Sequence, residues 1–278
     1  MDFQVGMDEF GTATQESEGW TVVCLAEPQA TAFTLEAPAL LSGGLKSFHG
    51  KDFTRRSEGP FRDFLTLLKV KCGESTGNFI TCTLNGKSWH KEFIGFAERV
   101  LEQSFLKAGV TIPDPELAML RQIVSPLFTY LRVAAHVGGE HTAAFSLDDS
   151  KLMKLFNAAT VSVKEKDLGL PHLAGMLFRA YRKQQFPSSP NVIKDAIQTV
   201  PDENSPLIQA ADVVGNFSTA YVFSRLGKHS KANDLKAEIF HSVFGEFGID
   251  GIDHSAHVEL VGDDLRLKHN GAYTFAVA

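Results

Sequence analysis

Four aspartates sit where carboxylates are costly to keep. Asp8 follows the apolar, strand-forming run Phe3-Gln4-Val5-Gly6-Met7, and Asp148 follows the short run Ala143-Ala144-Phe145-Ser146-Leu147. Asp195 lies inside a strand candidate over 191–200, and Asp212 lies in the apolar segment Leu207-Ile208-Gln209-Ala210-Ala211-Asp212-Val213-Val214. A carboxylate held against a buried surface needs a partner or a cation. Carboxylates from several strand ends and one helix can hold Mg²⁺ or Mn²⁺, hard cations that take oxygen ligands. Such an ion can activate water against a phosphodiester. Asp8, Asp148, Asp195 and Asp212 are therefore the candidate metal ligands, with Asp8, Asp148 and Asp212 as the catalytic set.

The elements that would position them read as follows. Residues 3–8 and 20–26 are strands, joined by a turn over 8–12 and a loop to Gly19. Residues 30–35 are read as a third strand. A helix spans 61–70, and 78–84 is an alternating strand. Ser88 caps a helix running to Ala108, and 116–136 is a helix bent at Pro126. A strand over 143–147 precedes short helices at 151–159 and 172–181. Ser205 followed by Pro206 is a strong start signal for a helix to about Leu226. A helix over 232–247 and a hairpin pairing 257–260 with 265–268 close the chain. Strands come first and then alternate with helices, so the class is α/β. Residues 1–225 make one domain, with 226–278 an extension packed on it.

Within the capped helix, Gln209, Gly215 and Asn216 lie three or four residues from Asp212 and form a polar, small-residue stripe with it. That stripe either faces a ligand or faces solvent.

Bulk properties narrow the function classes. The chain has 278 residues with a formal net charge of −6, so nucleic-acid contact would need a local basic patch. Phe is abundant at 22 residues and Tyr scarce at 4, which favours core packing over wet aromatic surface. Cys24, Cys72 and Cys82 show no Cys-x-x-Cys spacing and read as reduced, buried residues of a cytoplasmic protein. No signal peptide and no membrane span are expected. No GxxxxGK or GxGxxG occurs, which argues against nucleotide enzymes of those classes. His49, Lys51, Arg55 and Arg56 form a local basic segment, either a phosphate contact or a solvated loop. Arg179, Arg182 and Lys183 read as a solvated helix face. His136 and His141 flank a Gly-Gly pair and read as a loop. Asp250, Asp253, His254 and His257 read as a turn.

Two motifs carry a family resemblance. Asp8-Glu9-Phe10-Gly11 resembles the Asp-Glu-Ser-Gly opening of the widespread bacterial family known as domain of unknown function 3800. Ser205 through Asp212 is similar to its closing motif, a Ser followed by a Gln-x-Ala-Asp helix. The resemblance covers about residues 3–225. It implies a ribonuclease H-like fold, a mixed sheet flanked by helices with a helical insertion, and metal-dependent cleavage of a phosphodiester in nucleic acid. Carried over, Asp8 is the first-strand carboxylate, Asp212 the last-helix carboxylate, and Asp148 and Asp195 those of the later strands. Glu9, His49, Lys51 and Gln209 would contact substrate or orient the site. The sequence departs from the family at Phe10, where Ser is usual, and at Ser47, where many members carry Glu two residues before the His. The alternative implied by Ser47 is a non-catalytic module of the same fold that binds nucleic acid or protein.

Overall fold

The computed structural model describes residues 2–14, 17–85, 89–105, 112–137, 142–148, 151–163, 166–187, 192–193, 198–225, 230–245, 257–261, 264–268 and 273–277. In chain order the elements are β1 (Asp2–Thr14), β2 (Ser17–Ala26), α1 (Glu27–Glu36), α2 (Glu58–Gly73), β3 (Phe79–Asn85), α3 (Trp89–Phe105), α4 (Asp114–Val137), β4 (Thr142–Asp148) and α5 (Lys151–Ala158). Then come β5 (Thr160–Val163), β6 (Lys166–Gly169), α6 (Leu170–Gln185), β7 (Val192–Ile193), β8 (Gln198–Val200), α7 (Pro206–Arg225), α8 (Lys231–Phe244), β9 (His257–Val261), β10 (Asp264–Lys268) and β11 (Tyr273–Val277).

The class is mixed α/β. The main sheet runs β11-β3-β2-β1-β4, with β7 and β8 both paired to β4. β1, β2 and β3 form an antiparallel meander, while β4 runs parallel to β1 and β8 parallel to β4. Strand alternation sorts the side chains into two cores. Phe3, Val5 and Met7 face a core shared with α3, α4 and α6. Val23, Leu25, Ile80 and Cys82 face a second core with α1, α2, α7 and α8. Gln4, Gly6 and Asp8 share this second face by their parity on β1.

α7 reaches β1 because Gly6 has no side chain. An ideal Cβ there would stand 2.5 Å from the Leu207 carbonyl carbon, a distance no real contact tolerates. Glycine inside a strand commonly marks such a close approach.

Several expectations are corrected. Residues 30–35 belong to helix α1, in which Pro28 occupies the first turn and Ala30 and Phe33 bury one face. Their β-branched Thr31 and Thr34 suggested a strand, but proline at a helix start and core burial prevail. β1 does not turn at Gly11. It continues to Thr14 against β2, with a register shift between Phe10 and Thr14. The strand candidate over 191–200 is two short strands, and residues 194–197 between them, Asp195 included, lie outside the described residues. The expectations for His141, Asp250, Asp253 and His254 also lie outside them. The β5–β6 hairpin and edge strand β11 were not anticipated. No described helix is long and apolar enough to cross a membrane.

Candidate functional site

The site is built where β1 loses a neighbour. β1 pairs with β4 in parallel register from Asp2↔Thr142 through Met7↔Leu147. Asp8 and Asp148 are the next residues on each strand. Asp8 lies midway along β1, which runs on to Thr14 against β2, whereas Asp148 is the last residue of β4, so each stands one residue past the last pair of the β1–β4 register. Asp8 still pairs with Thr21 of β2. Its side chain is half-buried, and Oδ1 accepts the Glu9 N–H at 2.9 Å. Glu9 is exposed and takes the opposite parity, that of Met7. The side chain of Asp148 lies outside the description. Beyond it, Asp148 pairs with Val200 of β8, and the chain continues through Pro201 into a single 3₁₀ turn, Asp202–Asn204.

α7 supplies the second group. Its start is set by Ser205, whose Oγ accepts the Ile208 N–H at 3.4 Å. From there the polar stripe faces neither open solvent nor an empty cleft. It holds the 48–50 segment. The buried Gln209 has two jobs: its Oε1 accepts the Phe48 N–H at 3.0 Å, and its Nε2 donates to the Asp202 carbonyl at 2.9 Å. Asp212 Oδ2 accepts the Gly50 N–H at 2.9 Å, and Oδ1 accepts Asn216 Nδ2 at 2.7 Å. Gly50 must be glycine, since a Cβ there would lie 2.4 Å from the Asn216 Cβ. Backbone and helix meet directly.

His49 joins the two acidic elements. Its Nδ1 is 3.4 Å from Asp202 Oδ2 and 3.4 Å from Asp212 Oδ2. The imidazole is 14% exposed. Both carboxylates approach the same ring nitrogen, Nδ1.

Burial raises the Asp212 carboxyl above its usual range, while the Gly50 N–H, His49 and Lys51 pull it back down. A second cation enters from an element far along the chain. Lys236 of α8 is half-buried with its Nζ 6.0 Å from the Phe53 ring centre and 5.7 Å from that of Phe217. Burial lowers its ammonium pKa, and Asp212 opposes that shift. Lys51, Arg55 and Arg56 are exposed on the 3₁₀ turns that follow His49. Arg179 and Lys183 are exposed on α6.

Among the described residues, no group of three or more His, Cys, Asp or Glu side chains converges as a metal-ligand set. The partners of Asp212 are Gly50, Asn216 and His49, with Lys51 and Lys236 acting through space; Asp8 is not among them. The donor type, taken residue by residue, is the one a hard divalent cation takes. Asp8 and Asp212 offer carboxylate oxygens, and a carboxylate oxygen that accepts one hydrogen bond keeps a lone pair. Mg²⁺ commonly takes only one or two protein carboxylates and keeps several waters.

Sequence reasoning missed Asp202 and Lys236. Asp202 had a faint signal, an acidic turn directly before a capped helix. Lys236 had none. The cysteines offer no alternative nucleophile. All three are buried and unpaired as disulfides, and burial pushes the Cys72 and Cys82 thiols up to about 12. No family model, no curated protein and no solved structure matches the chain.

Proposed function

We propose that the chain is a divalent-metal-dependent nuclease or related phosphodiesterase with a ribonuclease H-like fold. The carrying observation is the parallel register that puts Asp8 of β1 one residue past its last pair with β4, where β4 reaches its carboxyl end at Asp148. In open α/β sheets that edge is where ligands bind. The mixed sheet with helices on both faces, and the closing helix seated on β1, agree with the family resemblance.

Asp8, Asp148 and Asp212 would hold Mg²⁺ or Mn²⁺, which supplies an activated water and charge neutralisation at the phosphate. Gln209 fixes the 48–50 backbone against α7, so that His49 stays between Asp202 and Asp212. In this reading His49 would take or give a proton. Lys51, Arg55 and Arg56 would contact the phosphate backbone, which positions a strand without reading its sequence.

The test is cleavage of labelled oligonucleotides by wild type and Asp8→Asn in millimolar Mg²⁺ or Mn²⁺. Activity should vanish in the variant while the melting temperature stays level or rises, because a charge beside other carboxylates is removed. Equal cleavage by both proteins would sink the reading.

A second reading is a non-catalytic module that binds nucleic acid or protein. It is favoured by Asp212, both of whose oxygens already accept hydrogen bonds from the chain. It expects millimolar Mg²⁺ to leave the melting temperature unmoved, whereas a bound ion would raise it.

A further inference from the structure

A cavity of about 290 Å³ opens beside the start of α7. Its floor is Gln4 of β1 and Ser146 of β4, the latter directly opposite Gly6. One wall is α1, with Thr31, Thr34 and Leu35; the other is Leu207 and the turn before it. Every lining residue is uncharged. The Gln4 amide and the hydroxyls of Ser146, Thr31 and Thr34 make no hydrogen bond with any described residue. Leu35 is 76% exposed at the rim, one of three large hydrophobic residues so exposed among those described.

This lining selects a chemistry. No cationic side chain lines this cavity, so phosphates and carboxylates lack the charge-assisted partners that hold them most strongly. A purely apolar guest would leave the amide and hydroxyls unpaired, which is unfavourable. A flat, neutral heterocycle with donors and acceptors on its edge satisfies both the polar floor and the apolar rim. A primary amide is suited to it, since it donates and accepts side by side. Glutamine uses that pair to grip a base edge in nucleic-acid readers. The size is at the small end of ligand pockets.

The location adds a direction. Gln4 shares its strand face with Asp8 and precedes it by four residues, about 13 Å along the strand. We propose that this cavity binds one unpaired nucleobase, which makes single-stranded nucleic acid the substrate class. The assignment of a substrate rests on the nuclease reading above; the binding of a base does not. Bases can be seated in such pockets only when they are free of a duplex stack.

The test uses the full chain without metal. Free nucleosides are titrated by saturation-transfer NMR. Fluorescein-labelled single strands are titrated by anisotropy, intact and with abasic positions. Three proteins are compared: wild type, Gln4→Ala, and Thr34→Trp, which fills the cavity from an exposed helix position. Nucleoside binding and the preference for intact over abasic strands should each fall about tenfold or more in both variants. Equal nucleoside binding by wild type and Thr34→Trp overturns the proposal, as does equal affinity for intact and abasic strands when free nucleosides do not bind either. Binding of free nucleosides with no preference for intact strands keeps the cavity as a base site but removes the strand as its source. Asp8→Asn separates the two ideas. If the pocket variants lose base binding but wild type and Asp8→Asn cleave nothing, the nuclease reading fails and the base site stands. If Asp8→Asn abolishes cleavage while Thr34→Trp binds and cleaves like wild type, the reverse holds.

Discussion

The two long helices that sandwich the sheet handle polar groups in opposite ways. α4 packs Ile123, Val124, Leu127, Phe128, Leu131 and Val133 into one core. In the same helix the Thr129 and Tyr130 hydroxyls are buried with no hydrogen-bond partner among the described residues. α7 is also apolar over most of its surface, with Val213, Val214 and Phe217 in the other core. Yet the side chains of Gln209, Asp212, Asn216 and Ser218 are all hydrogen-bonded. Two of them reach a segment more than 160 residues away. An unmade hydrogen bond is a cost, and a made one adds specificity. These two hydroxyls of α4 are tolerated, while Gln209 and Asp212 of α7 determine where a neighbouring segment sits.

Gly6→Val should have the largest effect. Its new side chain meets the Leu207 backbone, and either α7 or β1 must move. A loss of about 3 kcal/mol is expected in urea unfolding, with the 48–50 segment losing amide-exchange protection as well. A smaller loss confined to β1 would mean that α7 does not clamp the segment. Gln209→Leu comes next. It strands the Phe48 N–H and the Asp202 carbonyl, at about 2 kcal/mol. The same measurement on α4 should change sign. Tyr130→Phe removes an orphaned hydroxyl and should stabilise by up to about 1 kcal/mol. If it destabilises as Gln209→Leu does, the contrast between the helices is gone.

The smallest effect is in pH dependence. The folded Asp212 carboxyl holds its proton more tightly than an unfolded one. Folding stability from this group is therefore full below the ordinary carboxyl range and falls as pH rises through its raised value. Asp212→Asn should flatten that part of the stability–pH curve. An unchanged slope would place the carboxyl in a better solvated setting.

How much of this was readable from sequence depends on the range of the cause. Ser205 and Pro206 announced α7 because capping is local. β1, β2 and β3 were readable because strand pattern is local too. α1 was misread because Thr31, Phe33 and Thr34 have strand character, while the burial that decides the matter comes from partners elsewhere. The polar stripe on α7 was visible, but not what it holds, since Phe48 and Gly50 lie 161 and 162 residues from Gln209 and Asp212. Lys236 was invisible for the same reason. Glycines 6 and 50 are ordinary letters until the helix that presses on each is known.

That separation along the chain also bears on synthesis. A ribosome releases the meander and the 48–50 segment long before Gln209 and Asp212 exist. Until α7 arrives, the Phe48 and Gly50 amides have no lasting acceptor there, and the sheet face around Gly6 is bare. High-separation contacts of this kind close late and slow folding. The acidic site would therefore be assembled last, so a nascent or truncated chain lacking α7 would expose an apolar sheet face and should call on chaperones before it could perform any chemistry.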